Sequence, residues 1–239
     1  MDRINELGQP IGFALPGWKA PPFPPHATLT GRYCRLEPLQ ASRHARDLWE
    51  AQSDDATGSR WTYSFSGPFA SFDEFEKWMA GVEVSRDPQF YAIVVDGRAL
   101  GLASYLRIDP KNGVIEIGHI YYSPRLARTR AATEAMYLFM SNAFDLGYRR
   151  YEWKCDSCNL PSRAAASRYG FTYEGMFRQA IVYKERNRDT CWFAIVDRDW
   201  KAGLEAAYLR WLDPANFGAD GAQKTKFSAL TAPFVHARP

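Results

Sequence analysis

The sequence predicts an α/β (α+β) domain with a mixed, mostly antiparallel central sheet flanked by helices. Three observations carry this. The elements read in the order β-α-α-β-β-β-α-β-α-β-β and then a helix, an order that a sheet covered by helices accommodates. Asp96-Gly97 stands between two apolar runs, a strong hairpin signal because both turn residues take positive φ. The apolar period changes to a helical one after Pro124 and returns to alternation at Tyr151. A strand–helix–strand unit of that kind requires a parallel crossover.

Each element has its own warrant. Residues 28–39 read as a strand, and 42–52 and 71–84 as helices. Residues 89–95 form an apolar strand that Asp96-Gly97 returns as 100–108. Asp109-Pro110-Lys111-Asn112-Gly113 turns the chain again into a third strand, 114–122. Met136, Phe139, Met140 and Ala143 recur at helical spacing, and Gly147 is the stop. Tyr151, Trp153 and Cys155 alternate with Glu152, Lys154 and Asp156, which makes a strand. A short helix, 159–169, ends at Gly170. Strands 172–183 and 190–196 flank a polar turn, 185–189, and a last helix runs over 198–211.

Prolines 16, 21, 22, 24 and 25 exclude a helix or a central strand before residue 28. Three regions are therefore expected: a Pro-rich N-terminal arm, 1–27, which Trp18 and Phe23 can dock; a folded domain, 28–212; and an irregular C-terminal tail, 213–239. There is no internal repeat.

The formal net charge is +3 over 239 residues, with no long Lys/Arg run, which argues against a nucleic-acid partner. No apolar run is long enough to span a membrane, and the first ten residues lack the order of a signal peptide. The four cysteines are read as reduced, and a cytoplasmic location is expected. Cys155-Asp-Ser-Cys158 is a lone CxxC. A structural zinc site wants four ligands and no second close pair is present, so no metal is expected.

The most informative segment is Ser123-Pro-Arg-Leu-Ala-Arg-Thr-Arg-Ala-Ala-Thr-Glu-Ala135, which joins a strand to a helix. Arg125, Arg128 and Arg130 crowd a helix start, where free N–H groups already make the end positive. A bound anion reverses the sign of that interaction; a solvated basic turn is the other reading of the same residues. Ala127, Ala131 and Ala132 let a ligand approach the backbone.

This segment resembles the GNAT superfamily of N-acetyltransferases, and within it the RimJ/RimL-like branch that acetylates ribosomal-protein N-termini. The family carries Gln/Arg-x-x-Gly-x-Gly/Ala at this turn. Ala132 fits that pattern, while Ala127 and Arg130 depart from it. A second motif follows in the family's order: Asn159-Leu-Pro-Ser162 opens the short helix and Gly170-Phe171 closes it. The likeness covers about residues 28–200. It implies a GNAT fold whose sheet is splayed between the fourth and fifth strands, and acetyl-CoA as co-substrate. It also implies direct attack by a primary amine in a ternary complex. The acceptor is either a protein or peptide N-terminus or a small-molecule amine, and the chain is a monomer or a weak homodimer. A non-catalytic acyl-CoA-binding sensor or scaffold is the alternative.

By the same resemblance, acetyl-CoA is held by Ile120, Tyr121, Tyr122, Arg128, Thr129, Arg130, Ala131, Ala132, Thr133, Asn159 and Ser162. Thr133 and Glu134 are expected to support helix packing. A strand bulge before the turn supplies a backbone donor in the family, and Gly118 is the residue here that permits one. Glu116 interrupts an apolar strand on the face of Gly118 and Ile120, which makes it the candidate base. His119 faces away in strict alternation and is read as packing. Ser162 is the candidate acid for the departing thiolate. Arg188-Asp189 is read first as a turn-fixing pair and second as a substrate contact.

Overall fold

A computed structural model describes residues 3–239. Eight strands form one sheet in the order β1-β2-β3-β4-β5-β6-β8-β7. They are β1 (Leu29–Thr30), β2 (Arg35–Pro38), β3 (Gln89–Val95), β4 (Arg98–Asp109), β5 (Val114–Tyr122), β6 (Arg150–Asp156), β7 (Thr172–Tyr183) and β8 (Arg186–Val196). Every neighbouring pair is antiparallel except β5–β6. The helix between those two strands, α3 (Arg130–Asp145), makes the crossover that their parallel pairing requires.

Helices cover both faces. On β3, Tyr91 and Ile93 pack into the core beneath α3, with Phe139, Met140 and Tyr151. Phe90, Ala92 and Val94 point the other way, against α1 (Ala41–Gln52) and α2 (Phe72–Glu83). Two covered faces explain why β3 reads as a continuous apolar run rather than an alternation.

The first expected strand is divided in two by the buried Glu134 carboxylate of α3. It accepts the backbone N–H groups of Arg32, Tyr33 and Cys34 at 2.8, 2.6 and 2.8 Å, so the chain turns around it. The fourth and fifth strands of the sequence reading are thus β5 and β6, and they are splayed. Their pairing covers only Val114–Ile117 with Arg150–Trp153, beyond which the strands part.

The C-terminal segment differs from the irregular tail expected. It carries α7 (Phe227–Thr231), whose Phe227 and Thr231 are buried. The Phe227 ring meets Tyr208 at 4.7 Å, and Ala237 O accepts from Tyr173 N on β7. The last helix is also interrupted. A short α5 (Asp197–Asp199) and a π-helical turn (Trp200–Leu204) precede α6 (Glu205–Leu212), with Gly203 at φ 139°. The N-terminal arm lies on the domain through its carbonyls, which proline leaves free. Pro22 O, Pro24 O and Pro25 O accept from Tyr148, Gln89 and Tyr91. Among the described residues, no helix is long and apolar enough to cross a membrane.

Candidate active site

Where β5 and β6 part, a cleft of about 390 Å³ opens. Its walls come from β4, β5, β6 and the start of α4 (Leu160–Arg168). The β7–β8 hairpin and the segment 60–65 close over it.

A bulge shapes the β5 wall. Leu102 pairs with Tyr121 and Ser104 with Gly118, so His119 and Ile120 together oppose Ala103. His119, not Gly118, takes the left-handed conformation, with φ 48°. Gly118 has no positive φ of its own, and a Cβ there would lie 2.9 Å from Leu106 Cδ2, a side-chain end that can shift. The bulge breaks the alternation expected of this strand. His119, expected to face away, lines the cleft with Glu116, Gly118 and Ile120. Its Nδ1 lies 2.8 Å from Ser104 Oγ. Burial, reinforced by the Arg107 charge, pushes its pKa down to about 4, so it is neutral at pH 7.

Glu116 is 3% exposed and lines the cleft, but it is not the free carboxylate expected of a base. Arg107 donates to both of its oxygens, at 2.9 and 2.7 Å, and Lys154 Nζ donates to Oε2 at 2.7 Å. Arg107 reaches it because β4 is bulged there, at φ 47°, with the Arg107 and Ile108 amides held by Asp87. Lys154 also pairs with Glu152 and lies 3.8 Å from the Trp192 ring centroid. Both Glu116 oxygens are committed before any substrate arrives.

Asn159 caps α4 by accepting the Ser162 N–H at 3.1 Å, which leaves its side-chain amide N–H groups for another partner. Ser162 Oγ accepts from Trp153 Nε1 at 3.0 Å, so its own proton remains available for donation in the cleft. Cys155 is buried opposite Cys191 in the sheet and its thiol is pushed up to about 11 by burial. Cys158 is exposed, and the CxxC is not bonded.

The cofactor turn lies at the far end of β5. Thr129 caps α3, its Oγ1 accepting from Ala132 N at 3.1 Å. The backbone N–H groups of Arg128, Arg130 and Ala131 have no protein acceptor among the described residues. The three arginines are not equivalent. Arg125 pairs with Asp54 at 2.7 Å, and Arg130 stacks over Tyr33 and Phe217 at 5.1 and 4.5 Å. Arg128 is exposed at φ 67° and makes no ion pair among the described residues. Ala131, Ala132 and Thr133 are buried under the turn.

Ile120, Asn159, Ser162 and Glu116 thus share one cleft, while Arg128 to Thr133 form a second station outside it. The two tyrosine side chains, expected beside acetyl-CoA, point elsewhere. Tyr121 stacks on Trp61 at 4.4 Å in the α1–α2 core, and Tyr122 donates to Ala132 O. Two cleft residues and one residue of the hairpin turn escape the sequence reading, and Arg188 enters it as a substrate contact only second. Lys154 and Trp192 look like ordinary positions in alternating strands. Lys184 lies in the two-residue turn Lys184–Glu185, and its Nζ donates to Trp61 O and Gly67 O, tying the hairpin over the cleft. Arg188, assigned to a turn, lies inside β8, which begins four residues earlier than the alternation suggests.

Comparison with known proteins adds the following. The acetyltransferase (GNAT) domain family matches residues 34–172. A GCN5-related N-acetyltransferase from Brucella melitensis is 47% identical with a TM-score of 0.88; the match covers 91% of this chain and all of that one. A probable acetyltransferase of the GNAT family from Chromobacterium violaceum is 42% identical with a TM-score of 0.75, over 81% of this chain and 98% of that one. RimL, a ribosomal L7/L12 α-N-protein acetyltransferase, has a TM-score of 0.61 over 71% of this chain and 93% of its own, but at 21% identity the likeness is one of fold. A comparison with curated proteins gave no match.

Proposed function

The chain belongs to the GNAT acetyltransferase family, and from that premise we propose that it moves the acetyl group of acetyl-CoA directly to a primary amine within the cleft. The observation that carries the reading is the convergence of Ser162, Asn159 and the bulged β5 where β5 and β6 part, with three unpartnered amides at the end of the same strand. The residues fit the co-substrate. The amides of Arg128, Arg130 and Ala131 and the Arg128 guanidinium receive the pyrophosphate, and the Asn159 amide receives the pantetheine arm.

The reaction needs a neutral amine, a fixed carbonyl and a protonated leaving sulfur. Among the charged residues lining the cleft are four cations, Arg60, Arg107, Lys154 and Arg188, and two carboxylates, Glu116 and Asp156. A positive surplus disfavours the ammonium form of the acceptor, so its proton leaves to solvent. Glu116 serves to hold Lys154 and Arg107 in place. The amine nitrogen then bonds to the acetyl carbon, the carbon–sulfur bond breaks and the amine loses a second proton to solvent. The sulfur takes the Ser162 proton, which solvent replaces.

Release of free thiol from acetyl-CoA over a panel of amines tests this. Ser162→Ala is expected to lower kcat by about a hundredfold with acetyl-CoA affinity retained, the lower end of the range for a general acid. Binding without thiol release on any amine identifies the non-catalytic acyl-CoA module instead.

A further inference from the structure

The cleft contains a largely buried cation with no ion-pair partner among the described residues. Arg188 is 6% exposed, projects from β8 on the face of Thr190 and Trp192, and lines the cleft with both. Its Nε donates to Thr190 Oγ1 at 3.2 Å. Its guanidinium lies 5.2 and 5.7 Å from the centroids of Phe65 and Tyr183. It makes no salt bridge among the described residues. The nearby acid, Asp156, is already engaged: Tyr183 OH donates to one oxygen at 2.8 Å and Cys158 N to the other at 2.8 Å. The neighbouring Asp189 faces the other way and fixes the hairpin by accepting from Gln179 N and Asn187 Nδ2. On the cleft face of β8, four residues beyond Arg188, Trp192 Nε1 is a buried donor without a hydrogen-bond partner among the described residues.

A guanidinium taken out of water is costly unless an anion meets it, and its planar fork matches carboxylate and phosphate oxygens. Burying most of the side chain while its terminal N–H groups open on the cleft, with no protein acceptor among the described residues, marks a place kept for a ligand. We propose that Arg188 is a specificity determinant for the acceptor: the amine that is acetylated also carries an anionic oxygen group, carboxylate or phosphate, which Arg188 grips while the nitrogen faces the thioester. This rests on the acetyl-transfer reading and adds no further reactant to it. The 390 Å³ volume, shared with the acetyl end of the co-substrate, suits a small amine rather than an extended peptide.

The test uses the full chain with saturating acetyl-CoA and thiol release as readout. Paired acceptors differ in the anion alone: α- and ω-amino acids beside their carboxamides, phosphoethanolamine beside ethanolamine, and peptides whose first residues are uncharged. At least one anionic member is expected to exceed its neutral partner in kcat/KM by about tenfold or more, and the pair in which this happens distinguishes carboxylate from phosphate. Arg188→Gln should cost that acceptor about 30-fold in kcat/KM through KM. Its neutral partner should lose far less, only the Arg188 share of the positive surplus, and the acetyl-CoA affinity should be unchanged, which also shows that the variant folds. Arg188→Lys, with charge but no fork, should fall between. Equal use of both members of every pair, preference for the uncharged peptides, or no turnover of any anionic member overturns the proposal. Failure of the wild type to bind acetyl-CoA defeats the acetyl-transfer reading instead.

Discussion

Glu116→Gln separates an ion-pair anchor from a catalytic base. The wild-type carboxylate is nearly buried and accepts three charge-assisted hydrogen bonds, two from Arg107 and one from Lys154. Gln keeps one acceptor and loses the charge. Arg107 is half-exposed and re-solvates at little cost, whereas Lys154 is 6% exposed and retains only Glu152 at 2.8 Å. The loss is therefore about 2–3 kcal/mol, the range for hydrogen bonds to charged groups, and below that for orphaning a buried charge outright. For a chain of this size that lowers Tm by about 5–10 °C. Thermal unfolding and a pH–rate profile, with thiol release as readout, measure both consequences. The expected result is a lower Tm and a rate within about tenfold of wild type, with the acid limb in place. An unchanged Tm, with a rate reduced more than a hundredfold and the acid limb abolished, would refute this reasoning and restore Glu116 as the base.

Two further outcomes follow from the same geometry. His119 is held neutral by burial, with its pKa depressed to about 4 from an ordinary 6.5. The unfolded chain therefore binds more protons between these values, and stability falls as pH drops from about 6.5 to 4, by up to about 3 kcal/mol. Urea unfolding of His119→Gln should show a flatter dependence in that window, and an unchanged slope would count against the burial of His119. Arg130→Ala should cost about 1–2 kcal/mol of stability through the lost stacking on Tyr33 and Phe217, with little change in acetyl-CoA affinity; a pure affinity loss at constant stability contradicts that assignment.

Much of the fold was legible because period and turn chemistry are local. Asp96-Gly97 marks the β3–β4 hairpin, and the crossover through α3 fixes the parallel pair. Asn159 was legible as a cap and performs that role. What the sequence hid depends on partners distant in the chain. A bulge is set by register with the neighbouring strand, so β5 alone could not show that His119, beside the more permissive Gly118, takes the positive φ. The engagement of Glu116 by Arg107 and Lys154 joins three strands. Polarity put the second reading of Arg188, as a substrate contact, behind the first: 185–189 read as a turn, although the strand β8 already begins at Arg186 and carries Arg188 into the cleft. The C-terminal helix was hidden by its length, since five residues have no periodicity to read and α7 forms only against Tyr208 and Trp211.

Calorimetric titration of the full chain with acetyl-CoA, beside its Arg128→Ala variant, tests the central claim most directly. Arg128 is the arginine of the turn without an ion pair or ring partner among the described residues, and its amide is one of the three left open. The account predicts binding in the micromolar range that weakens about tenfold in the variant, and weakens further with added salt. Wild-type protein that takes up no acetyl-CoA, or a variant that binds it equally well at every salt concentration, would contradict it.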